Sequence, residues 1–251
     1  MWRIAVVAAI VLTLPIVALL LTVFRGGGDN DEPDVPSAAI IDQLSLTVPN
    51  PAFVEEATAT LQAAGYEVDY YPGEEITVEF YRQLPYFGYD VLVFRSHADR
   101  LQAIDDRGVP FDEVVLFTSE PFSTERYRNE QNDNDLVIAR YREGGEPFFG
   151  IAAGFIEGLG SDFDGAKVIM MGCEGLLTDT TARAFIERGA ETFISWDETV
   201  TASHTDAATS LLLEHLLIDG LSPAEAVGET MAELGPDPVF GSSLAAYPPE
   251  S

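Results

Sequence analysis

Residues 90–97 read DVLVFRSH, and residues 166–175 read AKVIMMGCEG. The run 90–95 is almost continuously apolar, as a strand buried on both faces of a parallel sheet must be. The run 166–171 has the same character and predicts a second such strand. Each is followed at once by chemistry-bearing residues: Ser96-His97-Ala98-Asp99 after the first, Gly172-Cys173-Glu174-Gly175 after the second. In open parallel sheets, ligands bind at the carboxyl ends of the strands. His97 and Cys173 are therefore expected on the same sheet edge.

Outward from these strands the pattern alternates. Residues 38–46 (AAIIDQLSL) predict a first strand. Residues 51–64 predict a helix, because Phe53, Val54, Ala57, Leu61 and Ala64 share one face and Gly65 stops it. Residues 66–71 alternate as a strand, and residues 77–84 predict a helix ended by Pro85. Beyond Cys173, residues 180–188 predict a helix closed by Gly189, and residues 191–196 a strand. Residues 205–219 predict a helix with His215 on its apolar face. Ser222-Pro223-Ala224-Glu225 then signals a helix start, with Ser as cap and Glu returning to it. Residues 111–155 differ: VVLFT, LVIARY and PFFGIAA are short strands between polar turns, expected as an antiparallel hairpin or flap inserted on the main sheet. Strands alternating with helices imply an α/β fold with a mainly parallel sheet. The expected divisions are 1–25 as an anchor or uncleaved signal, 26–37 as an acidic Pro/Gly linker, 38–235 as the α/β domain, and 236–251 as an irregular tail.

The apolar run 4–24 lacks any charge and is long enough, as a helix, to span a bilayer. It exceeds the ~7–15 residues of a signal-peptide core and is followed by a poor cleavage site. The expectation is a single-pass cell-membrane protein, in contact with the membrane through this helix, with its domain on the extracytoplasmic side. The net charge is −29, from 42 acidic and 13 basic residues, and Lys167 is the sole lysine. Such a surface repels nucleic acid phosphates, so nucleic acid is excluded as a partner. Residues 129–135 are rich in oxygen ligands but lack the glycine and terminal glutamate of a calcium loop. No metal or other cofactor is expected. The patterns of serine hydrolases, zincins and nucleotide-binding loops do not occur.

One cysteine permits no intrachain disulfide. Beside a histidine it has a use: the imidazole takes the thiol proton, or as imidazolium lowers the thiol pKa, and then protonates the leaving amine. Gly172 and Gly175 let a substrate backbone approach. His204 is a fallback base, and His215 reads as a core residue. The alternative is a domain that binds a peptide or small ligand at the same edge and needs no reactive thiol.

The order strand–His, strand–Cys, helix–strand–helix resembles the caspase-like peptidases, which include caspases, gingipain, clostripain, separase and the CHAT domains. The motifs that carry it are VIMMGCEGL (168–176), ARAFIERGAETFISW (182–196) and SPAEAV (222–227), closest to CHAT-type sequences. The resemblance implies a three-layer αβα sandwich with an inserted β-hairpin region, and a cysteine endopeptidase acting on peptide or protein substrates. It makes His97 the catalytic histidine and Cys173 the nucleophile, with an oxyanion hole at Ala98 and Cys173. Where that family usually has glycine after the histidine, this chain has Ala98. Asp197, Glu198 and Asp179 lie near where a specificity pocket would form, and imply a preference for a basic residue before the scissile bond.

Overall fold

The computed structural model describes residues 35–104 and 110–249. In chain order the elements are β1 (Ser37–Asp42), α1 (Pro51–Ala63), β2 (Glu67–Pro72), α2 (Val78–Gln83), β3 (Val91–Arg95), β4 (Ala98–Ile104) and β5 (Pro110–Pro121). They continue with α3 (Arg128–Asn132), β6 (Leu136–Ala139), β7 (Phe148–Ile151), α4 (Ala153–Glu157), β8 (Lys167–Met170) and α5 (Thr180–Glu187). The last are β9 (Thr192–Trp196), α6 (Ala202–Leu213), α7 (Pro223–Leu234) and β10 (Leu244–Tyr247).

Six strands form one sheet in the order β10-β9-β8-β3-β1-β2. All its pairings are parallel except β9 with β10. The α/β class and the mainly parallel sheet are as the sequence pattern implied. Side chains alternate across this sheet as the pleat requires. Ala38, Ile40, Val91, Val93 and Ile169 pack with Phe53, Leu61, Leu212 and Val227, from α1, α6 and α7. Ala39, Ile41, Leu92, Phe94 and Val168 pack the other way, with Tyr81, Ile156 and Phe185 from α2, α4 and α5 and with Val114 and Phe149 of the second sheet. β3 is buried along its whole length, which explains the apolar run 91–94 that Arg95 closes. The helix ends follow local chemistry: the Asn50 side chain accepts from the Phe53 N–H to cap α1, and Ser222 and Glu225 make the full capping box of α7.

Three expectations change. The middle region forms a separate four-stranded antiparallel sheet, β4-β5-β7-β6, rather than a hairpin on the main sheet. Its first strand begins directly after His97. The sequence ADRLQAI hides it, because Asp99, Arg100 and Gln102 interrupt its apolar residues and pairing with β5 rather than propensity makes the strand. The tail beyond Gly235, expected to be irregular, supplies β10, which closes one sheet edge against β9. Third, no helix among the described residues is long and apolar enough to cross a membrane. The longest α-helix among the described residues, α1, has 13 residues, or about 20 Å against a hydrocarbon core of about 30 Å. The run 4–24 lies outside the described residues. The single-pass cell-membrane placement, the extracytoplasmic location and the membrane contact through an N-terminal helix are corrected accordingly: the structure supports none of them.

Candidate active site at the ends of β3 and β8

β3 and β8 are neighbours in the sheet, paired from Val91↔Lys167 to Phe94↔Met170. The Met171 N–H still donates to the Phe94 carbonyl, at 2.8 Å. The two chains thus leave the sheet side by side, and His97 and Cys173 enter the same space. Both line a cavity of about 150 Å³ with Leu44, Val48, Ser96, Met171, Gly172, Val200, Ala202 and Thr205. The structure therefore brings together the two residues that the sequence singled out.

Close packing requires the glycines around the cysteine. A Cβ on Gly172 would lie 2.5 Å from the Ser96 carbonyl oxygen, and one on Gly175 would lie 2.1 Å from Ser195 Oγ. Between them Glu174 takes a left-handed conformation, φ +62°, which a residue with a Cβ holds only when its surroundings fix it. Three hydrogen bonds fix it. Its N–H donates to the Glu198 carbonyl at 3.0 Å. Its Oε1 accepts from Thr199 Oγ1 at 3.0 Å, and its Oε2 from the Arg100 N–H at 3.2 Å.

The histidine is held by groups that sequence alone did not reveal. Its N–H donates to Gln43 Oε1 at 3.1 Å, and Gln43 Nε2 donates to the Tyr141 hydroxyl at 2.5 Å. The Tyr141 ring lies 4.8 Å from the imidazole, centroid to centroid. His97 Nε2 is hydrogen-bonded to Thr47 Oγ1 at 3.0 Å. The Cys173 thiol donates to the Val200 carbonyl at 3.6 Å. Among the described residues no hydrogen bond joins the imidazole to the thiol. Burial pushes the thiol above its usual range; the Val200 bond opposes this, and the charges of Glu174 and Asp99 add to it. Burial, and then the Arg95 charge, hold the imidazole below its usual value. At neutral pH both groups are therefore uncharged. This reverses one expectation from sequence, that a nearby imidazolium lowers the thiol pKa.

Ala98 opens β4. The His97 carbonyl accepts the Phe117 N–H at 3.0 Å, so His97 occupies a hydrogen-bonded position of the antiparallel ladder and Ala98 the next, unbonded one. The Ala98 N–H consequently faces away from β5. Two residues on, the Arg100 N–H faces the same way and reaches Glu174. Asp197, Glu198 and Asp179 do not line the cavity. The Asp197 carboxylate accepts the Ser243 N–H at 2.7 Å and so ties down the approach to β10. The Glu198 carbonyl holds Glu174, and Asp179 precedes α5 without capping it. His204 Nε2 is hydrogen-bonded to the Gly235 carbonyl, and His215 faces Asp219 and Glu233, so neither enters the cavity. Among the described residues no group of three or more His, Cys, Asp or Glu side chains is placed to hold a metal ion.

Beneath the histidine lies a buried ion network. Arg95 is fully buried. Its Nε and Nη2 donate to the two carboxylate oxygens of Asp206 at 2.8 and 2.9 Å. Its Nη1 donates to Asp42 Oδ1 at 2.9 Å, and Nη2 also to the Val48 carbonyl at 2.9 Å. The signal in the sequence was an arginine closing an otherwise apolar buried strand; the two distant aspartates gave none.

No protein-family model and no curated protein matches this chain, so known proteins lend no support to the hydrolase and protease terms or to the caspase-like resemblance.

Proposed function

We propose that the domain is a cysteine endopeptidase with a caspase-like arrangement, in which Cys173 attacks the scissile carbonyl and His97 serves as general base. The observation that carries this is the convergence of His97 and Cys173 on one cavity at the ends of neighbouring parallel strands. The order β3–His97, β8–Cys173, α5–β9–α6 agrees with it.

A neutral thiol and a neutral imidazole favour general-base attack over a resting ion pair. As the S–C bond forms, the thiol proton passes to the imidazole. The N–H groups of Ala98 and Cys173 stabilise the oxyanion. The imidazolium protonates the leaving amine, and a water deprotonated by His97 then hydrolyses the thioester. Substrate entry must displace the thiol from the Val200 carbonyl and the imidazole from Thr47. Those two resting bonds favour a second reading, a catalytically silent domain that binds peptide in the same cavity.

A fluorogenic peptide-amide library, incubated with the full chain, separates the two. The proposal expects hydrolysis that is lost in Cys173→Ala and in His97→Ala. Peptide binding without turnover would support the silent domain. Turnover that persists in Cys173→Ala would overturn the dyad.

A further inference from the structure

The cavity beside Cys173 is walled by hydrocarbon from Leu44, Val48, Met171, Val200 and Ala202. The hydroxyls in its lining already have partners inside the protein. Thr205 Oγ1 donates to the Met171 carbonyl at 2.8 Å and accepts from Trp196 Nε1 at 2.9 Å. Ser96 Oγ donates to the His97 carbonyl at 3.0 Å. The buried cation at the end of β3, Arg95, is held by Asp42 and Asp206. No carboxylate contributes to the lining, and Asp197, Glu198 and Asp179 stand outside it. A charged head placed here would lose its hydration and, beside the His97 and Cys173 side chains that the reaction uses, find no charged partner in the lining. An apolar cavity of about 150 Å³ accommodates a group the size of benzene; a branched aliphatic side chain is of that order.

We infer that this cavity selects an uncharged aliphatic side chain, of leucine or valine size, on the acyl side of the scissile bond, which rests on the proposed function and sets aside the basic preference implied by resemblance. Ala202, half-buried at the start of α6, has the smallest side chain of these five wall residues, so a cation is introduced there.

The test uses the full chain and three peptidyl acyloxymethyl ketones, identical except for Leu, Asp or Arg next to the reactive group. Intact-mass spectrometry follows the rate of Cys173 modification in wild type, His97→Ala and Ala202→Arg. In wild type the Leu probe is expected to react at least tenfold faster than either charged probe. Ala202→Arg, which brings a cation to the wall, is expected to shift the Asp/Leu rate ratio about tenfold toward Asp. His97-dependent labelling in which the Arg or Asp probe equals or exceeds Leu would overturn this inference and leave the proposed function standing. Labelling that ignores His97 would overturn the proposed function, and the inference with it.

Discussion

Replacing Arg95 by methionine tests the buried network and the site above it in one variant. Methionine fills much of the arginine stem's volume but leaves Asp42 and Asp206 facing each other without their cation. Their side chains are only 2% and 7% exposed. Tyr70 still donates to Asp42 at 3.3 Å and Asn50 to Asp206 at 2.7 Å, so some compensation remains. Removing one partner of a buried ion pair typically costs about 3–5 kcal/mol. Against a total stability of about 5–15 kcal/mol, that is a large fraction, about a 10²–10⁴-fold change in the folding equilibrium. Urea unfolding should show a lower midpoint with an unchanged slope. The sign with pH follows from the same charges. Burial already raises the Asp42 carboxyl against the opposing Arg95; without Arg95 it rises further above its unfolded value, so the native state of the variant binds more protons than the unfolded one. The deficit relative to wild type should then shrink as pH falls toward the carboxyl range. Asp42→Asn/Asp206→Asn added to Arg95→Met should recover most of the loss at neutral pH. The imidazole of His97, relieved of the Arg95 charge, should titrate higher. A loss below about 1 kcal/mol, or a deficit that does not narrow on acidification, would refute the argument that this network is a desolvated and mutually dependent set.

Other variants test the loop that presents the thiol. Glu174→Gln keeps one acceptor oxygen, for either Thr199 or the Arg100 N–H, and removes a charge beside Cys173; the pH midpoint of iodoacetamide labelling should move down, and an unmoved midpoint would count against an electrostatic contribution. Gly175→Ala forces a Cβ against Ser195 and should cost about 1–3 kcal/mol by overpacking, with Ser195→Gly restoring part of it in thermal melts. The Asp237 carboxyl is raised by burial, but donors from Thr201, Phe240 and Val239 outweigh this and bring it down to about 2. Its folded value lies below the unfolded one, so it stabilises above about pH 4 and that contribution, about 1–2 kcal/mol, is lost between about pH 4 and 2. Asp237→Asn should flatten the wild-type stability curve across that window; an identical acid limb in both proteins would contradict the assignment.

The parallel sheet was legible in the sequence because its central strands are buried on both faces, and burial writes itself as apolar runs such as residues 91–94. The placement of His97 and Cys173 followed from that alone, since a parallel sheet sends all its strand ends to one edge. The second sheet was legible only in part. β4 is interrupted by Asp99, Arg100 and Gln102 and exists through its pairing with β5, a contact the linear pattern does not encode. The supporting groups were harder still. Gln43, Thr47 and Tyr141 reach His97 from 54, 50 and 44 positions away, through single polar contacts or ring packing with no periodicity. The direction of the thiol shift also lay beyond the pattern, because it depends on burial and on the two acidic neighbours rather than on the mere presence of a histidine.

In the proposed mechanism His97 activates Cys173 as a general base across the shared cavity. The most direct test is acylation of the full chain by p-nitrophenyl isovalerate, with the adduct located by intact mass and peptide mapping. An acyl group is expected on Cys173, formed about 10²–10⁴-fold more slowly in His97→Ala. Equal acylation rates in wild type and His97→Ala would contradict it.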